Sequence, residues 1–460
     1  MRIFAESPDC AVTSGLFPTG NEGSREAFRP DYSILDNPSS QKFLICKEEL
    51  SNSSQLYSAF LTPTVYEVTR PVFLIRDPIR VFDSWKHIGW TDAQSLIGRY
   101  TNMFRLLDQA PSHPVSCLLY ERLVKEPQKE LEGICERWGV PFSETMLKFK
   151  KPFKSLLSSP SPNDQRGICN RQEKPLDLFS TVETSSSVIT DLPPHGLLSN
   201  DEKNILEEHL GRLYLRSWQS DVLQLRATLA QKTWIGFDLD DTLHEFRRAS
   251  STATTKVLSA ISSRHDIPIP ALKEEYSKIL REKTANAFSD GKTSFDYREG
   301  RFRSLLAHFS LPHDPQFMAS LLESYEDTLT ASLELKCGAV SLLSALKEMG
   351  KKIAVVTEGP QDAQERTIDA LGIGKYVDFL ATTNRFRVAK TDGLFAEVLR
   401  HLGISSGDMA YVGDSEERDM NPAMAKGIFS IHLAEAKHVS LDSSPPRINT
   451  LNKLQYILTG

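Results

Sequence analysis

Three carboxylates gather in Phe237-Asp238-Leu239-Asp240-Asp241-Thr242-Leu243, directly behind the apolar run Trp234-Ile235-Gly236. The stretch reads as a short buried strand ending in an acid cluster. Like charges at such a place repel one another and are costly to desolvate, so the cluster implies a cation or a reaction that offsets the repulsion. Three later segments supply suitable groups: Val355-Val356-Thr357-Glu358-Gly359, Lys390, and Val412-Gly413-Asp414-Ser415-Glu416-Glu417-Arg418-Asp419. Taken singly they would pass for a helix cap, a strand-end hydroxyl, a surface lysine and a surface turn. In this order, each ending or following an apolar run, they read as one site.

The chemistry such a set supports is phosphoryl transfer through an enzyme carboxylate. That reaction needs an ionised nucleophile, an acid for the leaving group, positive charge on the transferring oxygens and donors to orient them. Asp238, at the strand end, is placed to attack phosphorus. Asp240 falls on the same side while the backbone stays extended. Beside another carboxylate its pKa is expected to rise, which suits it to protonate the leaving group and then activate water. Mg²⁺ takes hard oxygen ligands, and Asp238 and Asp414 are the natural pair to hold it. Lys390 offsets the gathered negative charge, and Asp419 acts through water or by orienting Lys390. Thr357 and the N–H groups after it, made accessible by Gly359, donate to phosphate oxygens. Thr242 braces the turn after Asp238.

The ordered set resembles the four signature motifs of the haloacid-dehalogenase-like (HAD) superfamily, in the form used by its phosphatases, over about residues 230–435. The resemblance implies a Mg²⁺-dependent phosphatase that hydrolyses a small phosphorylated metabolite through an aspartyl-phosphate on Asp238. Asp240 is then the general acid/base, and its backbone carbonyl a further metal ligand. Superfamily members that cleave carbon–halogen bonds lack an aspartate at the position of Asp240. The residue present here therefore favours ester hydrolysis. Thr391-Asp392-Gly393 departs from the pattern, because many relatives have a proline in that turn.

The elements that must position these groups follow from periodicity. Strands are expected at 233–238, 352–357, near 377–381 and at 409–413, with helices at 338–349, 361–371, 392–402 and 420–426. The alternation predicts a doubly wound, Rossmann-like parallel sheet, in which ligand sites lie beyond the carboxyl ends of the strands. A long helical stretch over 247–333, inserted after the first strand, resembles the small cap of one superfamily subgroup. Within it Tyr297, Arg298, Arg301, Phe302 and Arg303 form a basic and aromatic cluster. We read it as a solvated helix face over core aromatics rather than as a reader of an anionic or planar group.

The N-terminal half is read as α/β too. Apolar runs at Phe43–Cys46 and Val72–Ile75 and a third possible strand at 115–119 alternate with helical patterns at 91–108 and 121–138. Pro71 through Trp85 contains a strand running into Arg76, then Asp77-Pro78 opening a helix that carries Ser84. This resembles the 3′-phosphate-binding element of sulfotransferases that use 3′-phosphoadenosine 5′-phosphosulfate, and Leu118 through Pro127 matches a further segment of that family. The resemblance covers about 41–150 and implies a P-loop-like domain binding a 3′-phosphoadenosine nucleotide at Arg76 and Ser84. No Gly-rich 5′-phosphosulfate loop stands out before residue 41, so a remnant domain, or a chain lacking its true start, is expected. A working sulfotransferase or bifunctional protein is the alternative function, and a pair of non-catalytic binding modules ranks third.

Bulk properties bound these readings. The chain has 460 residues, 40% hydrophobic and 25% charged, with net charge −6. The length predicts two domains. The acidic balance gives no ground for a nucleic-acid or membrane partner. Six scattered cysteines, without paired spacing, suit a reducing compartment, and a cytoplasmic location is expected. The expected organisation is an irregular segment 1–40, a sulfotransferase-like domain 41–228 with a flexible stretch at 156–198, and a hydrolase domain 229–460. The last divides into a core (229–246 and 334–440) and a cap (247–333).

Overall fold

The structure is a computed structural model that describes residues 10–14, 43–47, 70–109, 116–150, 186–188, 193–283 and 288–460. The chain forms two compact units, 1–217 with 436–438, and 218–435 with 439–460. The helix Gln219–Ala230 belongs to the second unit, whereas the sequence boundary at 228 cuts through it. Its Arg226 Nε donates to Ile457 O at 2.6 Å, a tie to the far C-terminus that no local pattern reveals.

In the first unit the strands pair as two separate parallel couples. Cys10–Ser14 (β1) pairs with Phe43–Lys47 (β2), and Val72–Ile75 (β3) with Ser116–Leu119 (β4). The strand at 10–14 corrects the reading of the first forty residues as irregular throughout. Between β3 and β4 run Pro78–His87 (α1) and Ala93–Gln109 (α2). Asp77 caps α1, its carboxylate accepting from Ile79 N, with Pro78 in the first turn where a missing N–H costs nothing. The single helix expected over 121–138 is two, Tyr120–Lys125 (α3) and Pro127–Trp138 (α4). Pro127 lacks the N–H that would continue α3 and clashes with the preceding turn. Most of the stretch 156–198 lies outside the described residues.

The second unit holds one six-stranded parallel sheet in the order β10-β9-β8-β5-β6-β7. Its strands are Trp234–Phe237 (β5), Lys352–Thr357 (β6), Phe379–Thr382 (β7), Met409–Gly413 (β8), Phe429–Leu433 (β9) and Arg447–Ile448 (β10). After β5 the chain builds outward through β6 and β7, then returns to lay β8 on the other side of β5. The crevice at such a reversal, beyond the strand carboxyl ends, is where α/β sheets bind ligands. Every residue of β5 and β8 is buried, consistent with a sheet covered on both faces. β9 was not anticipated, because Ser430 and His432 interrupt its apolar run, although both are buried.

Between β5 and β6 the long helical stretch resolves into four helices: Phe246–His265 (α5), Ile269–Lys283 (α6), Ser294–His308 (α7) and Pro315–Ala331 (α8). Asp266, left-handed at φ 54°, ends α5, and Asp314 caps α8 ahead of Pro315. The four enclose their own apolar core, with Val257, Ile261, Leu272, Phe302, Leu305 and Leu321 fully or almost fully buried. Each such side chain contributes about 1.5–3 kcal/mol. No described helix is long and apolar enough to cross a membrane.

Candidate active site

The turn after β5 is short and tightly held. Asp238 N donates to Val412 O at 2.9 Å, extending the β5–β8 ladder by one residue. Asp241 then adopts φ 60°, which swings the chain away, and its carboxylate accepts from Arg247 N at 3.0 Å at the start of α5. Thr242, fully buried, donates to Asp238 Oδ2 at 3.3 Å. Its hydroxyl therefore touches the nucleophile candidate itself, beyond the expected bracing of the turn.

Lys390 reaches this point from a wide turn over Lys390–Leu394, in which Gly393 takes φ 123°. Its ammonium lies 2.6 Å from both Asp238 Oδ1 and Asp419 Oδ1. Tyr411 OH lies 3.0 Å from the same Asp419 oxygen and 2.9 Å from Val356 O, and Ser415 N donates to the other Asp419 oxygen at 3.0 Å. Two glycines make this arrangement possible. A Cβ on Gly236 would lie 2.9 Å from the Tyr411 ring, and one on Gly413 would lie 2.6 Å from the Asp419 carboxyl carbon. The backbone must be bare at both places for Tyr411 and Asp419 to close on Lys390.

Burial pushes the Asp238 carboxyl well above its ordinary pKa, Lys390 pulls it back, and Asp419 and Asp240 push it further up. Burial also works against the Lys390 ammonium, but Asp238 and Asp419 outweigh it and hold Lys390 protonated. Asp414 is raised by burial and then by Asp419. One buried cation thus faces an excess of carboxylate. Asp238, Asp414 and Asp419 each bring an oxygen within 4.8 Å of the others, a hard-donor set of the kind that holds Mg²⁺. Asp419 is held by Lys390 and Ser415 N with Tyr411 OH beside it, so within that set Asp238 and Asp414 have more acceptor capacity to spare.

Asp240 points to its own partners. His244 Nε2 lies 2.9 Å from Asp240 Oδ1, and Gln364 Nε2 lies 3.4 Å from Oδ2. Thr357, at the end of β6, is fully buried, and its Oγ1 has no partner among the described residues. Gly359 N donates to Thr383 Oγ1 at 3.1 Å, so this N–H supports the loop rather than facing a ligand. Sequence reasoning missed His244, Gln364, Tyr411 and Arg247. Arg247 is exposed and bridges Asp241 and Asp414, at 3.1 Å from each. Only the i,i+4 spacing of Asp240 and His244 carried a local signal.

Asp238, Asp240, Thr357, Lys390, Asp414 and Asp419 line one cavity of about 670 Å³, walled on its far side by α5–α8. The helical wall is fastened to the sheet domain through polar contacts. Ser294 N and Oγ donate to Asp362 at 3.0 and 2.7 Å, and Arg366 donates to Glu326 and Ser294. A buried carboxylate on a lysine, a second carboxylate on a histidine and a metal-competent pair thus converge at one cavity. The family of haloacid dehalogenase-like hydrolases matches residues 235–433. The C-terminal half is a haloacid dehalogenase-like hydrolase domain.

This hydrolase domain is similar to the glyceraldehyde 3-phosphate phosphatase of Methanocaldococcus jannaschii, 26% identical over 224 residues, which are 48% of this chain and 93% of that protein. The corresponding protein of Methanopyrus kandleri is 25% identical over 45% of this chain and 85% of its own length. The ribulose-1,5-bisphosphate 5-phosphatase of Halopiger xanaduensis is 24% identical over 47% and 91%. Among solved structures, the putative HAD-hydrolase YfnB from Bacillus subtilis covers 49% of this chain and 98% of its own, at 22% identity and a TM-score of 0.39.

In the first unit, the structure does not bring Arg76 and Ser84 together through any described contact. Ser84 Oγ donates to Arg80 O within its own helix, at 3.0 Å. The Arg76 guanidinium lies 4.6 Å from the centre of the Tyr120 ring. The Ser84 hydroxyl is thus occupied within its own helix, while the Arg76 Nε is buried with no acceptor among the described residues.

Proposed function

We propose that the hydrolase domain is a phosphoric monoester phosphatase acting on a small phosphorylated metabolite, with Asp238 as nucleophile and Asp240 as general acid/base. The observation that carries this reading is the pairing of two differently held carboxylates. Asp238 is bound to Lys390, whereas Asp240 is bound to His244. Ester cleavage needs both roles, and carboxylates in unlike surroundings can divide them. Asp238 attacks phosphorus as the bond to the leaving oxygen breaks, and Asp240 delivers its proton to that oxygen. Asp240 then takes a proton from water as the water oxygen attacks the aspartyl-phosphate, releasing inorganic phosphate and freeing Asp238. Thr357 Oγ1 donates to a phosphate oxygen, and Lys390 balances charge as it builds.

Asp238 and Asp414, with the backbone carbonyl of Asp240, would hold Mg²⁺, whose charge neutralises the transferring phosphoryl group when bound. The relatives named for glyceraldehyde 3-phosphate and ribulose 1,5-bisphosphate support a small sugar-phosphate-like substrate. Purified protein with Mg²⁺ should release phosphate from an aryl phosphate, and Asp238→Asn should abolish release. Activity that survives the substitution while still requiring the metal would sink the nucleophile assignment. A 3′-phosphoadenosine nucleotide at Arg76 and Ser84 rests on the sequence resemblance alone. Calorimetry with 3′-phosphoadenosine 5′-phosphate on wild type and Arg76→Ala tests it.

A further inference from the structure

We propose that the helical wall of the cavity carries a second anion-binding subsite, built on Arg301 and Tyr297, and that the substrate is a phosphate ester bearing a second anionic group. The inference rests on the phosphatase reading and narrows its substrate class.

Six cationic side chains line the cavity: Arg247, Arg298, Arg301, Arg366, Lys390 and Arg418. Five are matched by acids. Arg247 pairs with Asp241 and Asp414, Arg298 with Glu326, Arg366 with Glu326 and Asp362, Lys390 with Asp238 and Asp419, and Arg418 with Glu358. Arg301 has no acid partner among the described residues, and its Nε is shut off from solvent with no hydrogen-bond acceptor. Tyr297 stands four residues earlier in α7, on the same helix face, and its hydroxyl is likewise buried and unpartnered. The rest of the sequence cluster behaves otherwise. Arg303 is exposed and pairs with Glu299, Phe302 belongs to the apolar core of the wall, and Arg298 is neutralised. The expectation of a solvated face over core aromatics therefore holds for Arg303 and Phe302 but not for Arg301 and Tyr297.

Both side chains line the cavity, and a guanidinium without an acid partner, on the same helix face as a hydroxyl, suits the oxygens of a carboxylate or phosphate. The transferring phosphate already has Lys390 and Thr357, so the charge on Arg301 is surplus to it. A neutral polyol would satisfy the hydrogen bonds but leave that charge unmatched.

The test compares kcat/KM of the full chain, with Mg²⁺, on matched probes. Glycerol 3-phosphate against 3-phosphoglycerate tests a carboxylate; fructose 6-phosphate against fructose 1,6-bisphosphate tests a phosphate. The more anionic member should be preferred about 10–100-fold in at least one pair, and the pair showing it identifies the group. Arg301→Met should collapse that ratio toward one, Arg301→Lys should retain part of it, and Tyr297→Phe should lower it several-fold. Calorimetric binding of the same ligands to Asp238→Asn gives a readout independent of turnover. Hydrolysis without preference in either pair, or a ratio unchanged in Arg301→Met and Arg301→Lys, overturns the subsite while leaving the phosphatase reading standing. Arg301-dependent binding without hydrolysis of any ester by wild type does the reverse.

Discussion

His244 Nε2 lies 2.9 Å from Asp240 Oδ1, and the histidine that makes this bond is fully buried. The backbone of His244 forms isolated bridges with Asp240 and with Leu335, the segment that returns from the helical wall. Asp240 is thereby tied to a rigid group on one side and to Gln364 on the other.

On the phosphatase reading His244 is expected to position Asp240 for proton delivery, and a leaving-group series checks it. General acid catalysis contributes roughly 10²–10⁴-fold where the leaving group needs a proton. His244→Ala should lower kcat/KM for an alkyl phosphate by about 10–100-fold. For p-nitrophenyl phosphate, whose leaving group departs as an anion, the loss should be much smaller. An equal loss on both would indicate general disruption instead.

Lys390 is 3% exposed and separates two carboxylates that would otherwise face each other in the core. Removing one partner of a buried ion pair costs about 3–5 kcal/mol, because the charge left behind is uncompensated. Lys390→Met should lose activity and unfold at markedly lower urea concentration. Adding Asp419→Asn should recover part of the stability and none of the activity. Wild-type stability in the single variant would show that the triad carries no such strain.

Gly413 was unremarkable in sequence beyond its place in a GDS string. An added methyl would meet the Asp419 side chain at 2.6–2.7 Å. Overpacking of this kind costs about 1–3 kcal/mol, and here it would push Asp419 off Lys390. Gly413→Ala should therefore lose stability and phosphatase activity together. Gly300→Ala, in α7 with nothing within 4 Å of the new carbon, is the control, with stability unchanged or slightly raised.

Glu121 in the first unit gives a pH prediction. Burial first, then Asp77, pushes its carboxyl up to about 7 from 4.5. In the folded state it keeps its proton to higher pH than in the unfolded chain. Its contribution to stability therefore falls as pH rises from about 4.5 to about 7, then stays level. The loss is about 3 kcal/mol, at 1.36 kcal/mol for each unit of pKa. Denaturation of wild type and Glu121→Gln should show the wild type losing ground across pH 5–7. Parallel curves would contradict the burial of an ionisable Glu121.

Much of the hydrolase core was legible because it is written in local periodicity. The apolar runs of β5, β6 and β8 end directly at Asp238, Thr357 and Asp414, so chemistry at the strand ends followed from reading along the chain. β9 was hidden for the same reason in reverse, since Ser430 and His432 break its run and their burial is a property of neighbours. The long helical stretch read as one pattern because the turn at Asp266 and the cap at Asp314 alter the backbone without altering the period strongly.

By itself, the sequence determined which residue types could act and in what order they arrive. Only the tertiary structure decided which of them meet. Lys390 and Asp238 are 152 positions apart, and their 2.6 Å contact depends on Tyr411 lying over Gly236 and on Asp419 closing over Gly413. Arg301 and Arg303 are two positions apart and alike in chemistry, yet a helix turns about 100° per residue and directs them to different surroundings. Identity and spacing are local quantities. Partnership is set by packing, which brings distant segments to one place and leaves adjacent side chains on opposite sides of a wall.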